Sequence, residues 1–168
     1  MPHHRRDLLT LCLACAAMPS MAVTPQVTPP PGLVKVTFEG DLQRYADLGE
    51  DAVDREQAVA DLTAIFVGLK SLLPEGLSLG VVVTDVNLAG ELEWTRSGKR
   101  IRVMRDIGWP IIEFRYELKR GQAVLKAGQE RLSDMAYLNS PPMGVGSGRL
   151  AHEERMLQRW ARALVAGL

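Results

Sequence analysis

The stretch Trp109–Tyr137, WPIIEFRYELKRGQAVLKAGQERLSDMAY, decides the fold. Between Ile112 and Leu118 apolar and charged residues alternate: Ile112, Phe114, Tyr116 and Leu118 against Glu113, Arg115 and Glu117. A period of two belongs to a strand with one buried and one wet face. Arg120-Gly121 then predicts a two-residue turn, because glycine reaches positive φ without steric cost. With those two residues as the loop, Lys119 faces Gln122, Tyr116 faces Leu125 and Phe114 faces Ala127. That register keeps the apolar residues of both strands on one side, with Glu117 diagonal to Lys126 on the other. Trp109-Pro110 opens the hairpin where a missing amide donor does least harm.

Upstream of the hairpin, Val34–Glu39 alternates as a first strand with Val34, Val36 and Phe38 inward. Gly40–Asp51 reads as a polar loop. Asp51–Leu73 carries the strongest helical pattern. Asp51 can cap the first-turn amides, and Val59, Leu62, Ile65, Phe66, Leu69, Leu72 and Leu73 recur at spacings of three and four, before Pro74 and Gly76 end the run. Leu77–Val86 predicts a central strand. Leu77, Leu79, Val81 and Val83 lie on one face and Val82 and Val86 on the other, with Asp85 in line with the inward face. Asn87–Lys99 reads as a long connection, and Ile101–Met104 is too short to decide.

Downstream, Asn139–Gly148 (NSPPMGVGSG) is a Pro- and Gly-rich loop. A final helix follows over about 149–165. Leu150, Leu157, Trp160, Ala161 and Leu164 share its buried face, while Glu153, Glu154, Arg155 and Arg159 sit elsewhere. Strand, helix, strand, hairpin and closing helix make an α+β domain. The expected architecture is a largely antiparallel four-stranded sheet with two amphipathic helices packed on one face. The helix between the first two strands allows that pair to run parallel.

The N-terminus follows a different logic. Arg5 and Arg6 precede the apolar run Leu8–Met18, and Ser20-Met21-Ala22 supplies small residues at a cleavage point. This is the three-part pattern of a secretory signal peptide, residues 1–22, and the run is too short to span a bilayer. Arg5-Arg6-Asp7-Leu8-Leu9 also resembles a twin-arginine signal without its fuller consensus, so both export routes stay open. Neither Cys12 nor Cys15 follows a lipoprotein motif, which argues against a lipid anchor. Residues 23–32 (VTPQVTPPPG) form an extended Pro-rich leader, and 33–168 a single domain. The expected compartment is the periplasm, with no transmembrane segment after signal cleavage.

Composition narrows the chemistry. The net charge is zero and aromatic residues make up 5% of the chain. Both argue against a nucleic-acid partner, which calls for a basic face or a stacking platform. Both cysteines lie in the signal, so the mature chain has no disulfide, thiolate site or cysteine nucleophile. Its one histidine, His152, sits on a charged helix and reads as a solvated side chain, which leaves no zinc set and no Ser-His-Asp triad. Gly144–Gly148 before a helix lacks the lysine of a phosphate loop. No cofactor or metal is expected.

What remains is Asp85, Asp106 and Asp134 at the ends of predicted strands. Paired carboxylates run acid–base hydrolysis when one of them is buried. The competing reading is that each accepts backbone amides or pairs with Arg102, Arg105 or Arg131. Asp106, Trp109, Asp134 and Tyr137 gather where the hairpin begins and ends. With Asp85 they are the candidate binding residues, and a pocket near Trp94 and Trp109 is the place for a small ligand. The lack of cysteines and ligand clusters favours a non-enzymatic envelope domain that uses a face of the sheet or the Pro-Gly segment to contact a partner, another envelope protein or a small ligand. The alternative is a carboxylate-based hydrolase, or a binder of a cell-wall sugar or peptide.

Three blocks, TDVNLAG at Thr84–Gly90, IRVMRDIGWPIIEFRYEL at Ile101–Leu118 and LSDMAYL at Leu132–Leu138, together resemble the bacterial family catalogued as domain of unknown function 3016. Arg155, Met156, Leu157 and Trp160 of the last helix are similar too. The resemblance covers nearly all of the mature chain. It implies an exported proteobacterial protein and no particular activity. Ala136 stands where that family usually has Asn before its Tyr, and Arg120 where it commonly has Asn or Asp before the turn Gly. Sequencing the N-terminus of the chain recovered from a periplasmic fraction is expected to begin at Val23; a chain that retains residues 1–22 would refute the cleavable signal.

Overall fold

The structure, a computed structural model, describes residues 32–139 and 148–168. The expected signal peptide, nearly all of the expected Pro-rich leader and most of the 139–148 stretch lie outside the described residues. The elements are β1 (Leu33–Phe38), α1 (Ala52–Gly68), β2 (Leu77–Asn87), β3 (Glu91–Trp94), β4 (Arg100–Val103), β5 (Ile111–Arg120), β6 (Ala123–Ser133) and α2 (Ala151–Ala166). Short 3-10 turns add Leu42–Arg44, Leu69–Leu72 and Tyr137–Asn139. The protein is α+β, with a mixed four-stranded sheet ordered β1-β2-β5-β6. β1 and β2 pair in parallel through the α1 crossover, and the other two pairs are antiparallel.

The core forms where α1 and α2 meet β2 and β5. Ala58, Leu62 and Phe66 of α1 are buried, as are Leu79, Val81 and Val83 of β2, Ile112, Phe114 and Leu118 of β5, and Leu157, Trp160 and Leu164 of α2. Phe114 is the meeting point. Its ring makes T-shaped contacts with Phe66 at 5.7 Å and with Trp160 at 4.8 Å, and Tyr116 makes another with Trp160 at 5.3 Å. Such T-shaped pairs put ring edge to ring face and add to the burial of apolar area. Asp51 caps α1, its carboxylate accepting from the Asp54 amide at 2.8 Å. The loop before α1 is less polar than its composition suggests. Tyr45 is buried, and its hydroxyl donates to the Val83 carbonyl at 2.8 Å and also reaches that of Glu39.

Several details depart from the sequence pattern. The hairpin turns at Gly121-Gln122, with Arg120 opposite Ala123, rather than at Arg120-Gly121. Gly121 takes φ +58 in the first loop position, the place where a tight hairpin turn demands a glycine-like backbone. A bulge then skips Leu125, so Leu118 faces Lys126, Tyr116 faces Gly128 and Phe114 faces Glu130. The expected Tyr116–Leu125 and Phe114–Ala127 partners are therefore replaced, and Leu125 is 39% exposed. The bulge turns Lys126 toward α2, where its ammonium donates to the Leu164 carbonyl at 2.9 Å. The last carbonyls of a helix lack partners of their own and carry partial negative charge, so this position suits a cation. Glu117 pairs with Lys119 instead.

A second bulge, between Val83 and Asp85, reverses the alternation of β2. Val86 becomes fully buried and Asp85 leaves the inward face. The connection after β2 is not a plain loop, because Glu91–Trp94 and Arg100–Val103 pair as a second, separate hairpin. In α2, Glu153 is buried at 1% exposure, contrary to its expected solvated position. The expected fully solvated His152 is half-buried, its ring 4.8 Å from that of Tyr137.

The observed register separates two leucines that the sequence pattern treats alike. Leu118→Ala should cost about 2–5 kcal/mol in urea denaturation and Leu125→Ala under about 1 kcal/mol, whereas the sequence register makes both costly.

Candidate functional site

The start and end of the β5–β6 hairpin do come together: the Asp134 amide donates to the Pro110 carbonyl at 3.3 Å, and Ile111 pairs with Ser133. The side chains gathered there point to different sides of the sheet. Asp134 turns to α2, where it accepts from Arg159 at 2.8 Å and Arg155 at 3.3 Å, its side chain 10% exposed. Tyr137 is fully buried, its hydroxyl donating to the Arg105 carbonyl and accepting from the Arg105 amide at 2.9 Å. These two residues fasten the hairpin end and the approach to β5 onto α2. Asp106 is exposed in the turn before Trp109.

Asp85 and Trp109 meet elsewhere. They line a shallow depression of about 250 Å³ together with Asn87, Ile111, Glu113 and Arg131. Asp85 accepts from the Ala46 amide at 2.8 Å and the Val86 amide at 2.9 Å, so its carboxylate anchors the Tyr45–Leu48 segment to the bulge in β2. The Asn87 amide donates to the Trp109 carbonyl at 2.9 Å. Of the three aspartates, Asp85 alone lines this depression, and Asp134 is engaged by arginines of α2. Trp94 stands apart on β3, 68% exposed, with the Arg100 guanidinium 5.4 Å from its ring centroid.

The larger depression on the sheet lies on the face opposite Phe114. It encloses about 470 Å³ and is lined by Lys35 and Thr37 of β1, Gly80 and Val82 of β2, Arg115 and Glu117 of β5, and Ala127 of β6. The strands set these residues side by side, since Lys35 pairs with Gly80, Gly80 with Glu117 and Val82 with Arg115. Gly80 brings no side chain to this surface, and a Cβ added there would meet only the Glu117 carbonyl, at 3.9 Å. Charged side chains form the rim and Val82 and Ala127 the apolar floor. Arg115 also pairs with Glu39, and Lys119 with Glu117, which holds the rim charges in place. This surface can recognise a ligand by charge and shape. Among the described residues no group of three or more His, Cys, Asp and Glu side chains could hold a metal ion. No helix there is long and apolar enough to cross a membrane.

The most unusual titratable group is one the sequence reading placed in solvent. Glu153 lies in the core and accepts the Ala89 amide at 2.7 Å. Burial raises its carboxyl above the ordinary range, a shift opposed by the Ala89 amide and by the charge of Arg102. Its position was visible in the helical pattern, since Leu150, Glu153, Leu157, Trp160 and Leu164 follow the same spacing of three and four. His152, beside it, is pushed down by burial and then by Arg155. Neither group opens onto the two depressions just described.

A raised folded-state value means that Glu153 favours the folded chain most at low pH. That contribution is present below the ordinary carboxyl range and is lost as pH rises through the raised value. Glu153→Gln keeps an oxygen acceptor for the Ala89 amide and removes the titration. Melting temperatures of E153Q and wild type should converge near pH 4 and diverge in favour of E153Q toward pH 8; a constant gap would show that Glu153 does not titrate in this way.

A family model described as a protein of unknown function (DUF3016) matches residues 32–163. No curated protein and no solved structure matches the chain significantly.

Proposed function

The chain belongs to the DUF3016 family, whose description names no activity, and from that premise we propose that it is an exported envelope domain that binds a partner rather than transforms a substrate. The binding surface is the open face of the sheet, and the partner is an extended segment of another periplasmic protein. The observation that carries this reading is the 470 Å³ depression, in which strands β1, β2, β5 and β6 all contribute lining residues and the side chains of Lys35, Thr37, Val82, Arg115, Glu117 and Ala127 lie outside the core under the helices. Its rim mixes Lys35 and Arg115 with Glu117. Mixed charge suits a polypeptide of mixed charge better than a polyanion, which would meet an acidic rim residue at its centre. Export rests on the signal pattern of residues 1–22, and a proteobacterial periplasm on the family resemblance.

The hydrolytic alternative is less well supported. Acid–base hydrolysis needs two carboxyl groups facing one substrate. Asp134 is engaged by two arginines and Asp85 by two amides, while Glu113, the second carboxylate beside Asp85 in the smaller depression, pairs with Arg131.

The test uses a photo-crosslinking residue in place of Ala127, expressed with the native signal. An otherwise wild-type chain should yield one crosslinked periplasmic partner distinct from a second copy of the chain. Val82→Glu, which puts a charge on the apolar floor, should reduce its yield about tenfold or more without lowering the melting temperature, while Asp106→Asn leaves the yield unchanged. A partner retained by V82E, or release of cell-wall sugars or peptides that is lost in D85N, would overturn the binding reading.

A further inference from the structure

Beyond ligand binding, the outer edge of β6 carries an interaction surface of its own. β6 closes the sheet on one side, and among the described residues no strand pairs with its outer edge. An edge eleven residues long invites pairing with another chain, and proteins ordinarily prevent this with charges that repel a second copy. The charges of β6 do the opposite. Its sequence, AVLKAGQERLS, has Lys126 and Glu130 at equal distances on either side of Gly128. Laid antiparallel against itself about Gly128, the strand sets each Lys126 opposite the Glu130 of the other copy.

Three observations support that register. Lys126, Gly128 and Glu130 all project from the same face of the sheet, opposite Leu118, Tyr116 and Phe114 respectively, so the crossed pairs share one side. Neither Lys126 nor Glu130 has an ion-pair partner among the described residues, although eleven such contacts are present there. Gly128 brings no side chain to the axis, and Tyr116 already fills the space above it, its ring 3.2 Å from where a Cβ would stand. The bulge at Leu125 lies beyond Lys126 and leaves the central stretch regular.

We propose that two copies of this chain join through β6, antiparallel about a twofold axis at Gly128, to make one continuous eight-stranded sheet. An isologous contact of this kind closes on itself and does not propagate into a fibre. It goes beyond the ligand reading by using the edge of β6 and the Lys126 and Glu130 side chains, neither of which lines the depression, although Ala127 and Gly128 border both surfaces.

Sedimentation equilibrium on the full mature chain decides the matter. Wild type should be a dimer at high micromolar concentration. Glu130→Lys and Lys126→Glu each convert two attractive cross-strand pairs into repulsive ones and should weaken dimerisation about tenfold or more. The double variant K126E/E130K restores the attraction with reversed sign and should dimerise like wild type. E130K carries the single-variant comparison if the loss of the Lys126–Leu164 hydrogen bond impairs folding of K126E; in that case E130K must weaken the dimer. A wild-type monomer throughout the concentration range, an E130K dimer as tight as wild type, or a folded double variant that stays monomeric would each overturn the proposal.

Discussion

The packing of both helices on Phe114 is the constraint from which most of the structure follows. One aromatic ring in the centre of β5 receives the edge or face of Phe66 from α1 and of Trp160 from α2. For that to happen, β5 must show its even-numbered residues to the helices over its whole length, and its neighbours must keep step. β2 does so until Val83 and then inserts Thr84, so that Val86 continues the buried face while Asp85 is freed to bind two backbone amides. β6 keeps step from Leu132 back to Lys126 and inserts Leu125.

The second hairpin, β3–β4, obeys a different rule. It shares no strand pairing with the main sheet and holds on by polar contacts. Arg100 reaches Glu50, Asp51 and Asp54, and Arg102 reaches Asp47 and the Gly90 carbonyl. The Asp54 amide and the Arg100 guanidinium hold the Asp51 carboxyl below the usual range. Partly exposed ion pairs contribute little each. The firmer attachment is beneath them, where Leu88 and Ala89 are buried and Glu153 binds the Ala89 amide. Gly90 fits this junction because its φ of +74 and its approach to the Val103 carbonyl leave no room for a side chain.

The order of the main elements was legible because each is written in a strong local period. The alternation over 112–118, the stripe from Val59 to Leu73 and that from Leu150 to Leu164 all correspond to observed elements. Register was not legible, since a bulge leaves no mark in a pattern of apolar and polar residues. Lys126 shows why: its place is set by a carbonyl on α2, distant in sequence. The β3–β4 hairpin was missed because its strands are four residues each and its faces are only half-buried. Of the candidate residues, Asp85 and Trp109 do share a surface and Asp134 and Tyr137 serve attachments, a division that depends on which side of the sheet each faces. The open-face depression left no sequence signal, because Lys35, Gly80 and Arg115 become neighbours only through strand pairing.

The parallel pairing of β1 with β2 carries a kinetic consequence. β5 and β6 are joined by a two-residue turn and can zip together locally, whereas Thr37 and Val81 are separated by 44 residues and meet only once α1 has closed the crossover. Contacts between distant residues form late because the intervening chain must first surrender its freedom. The first strand to emerge in any N-to-C passage of this chain is thus among the last to find its place. Until then β2 presents an unpaired edge of Val81, Val82 and Val83, and it is this interval, rather than the finished fold, in which the chain is most exposed to aggregation.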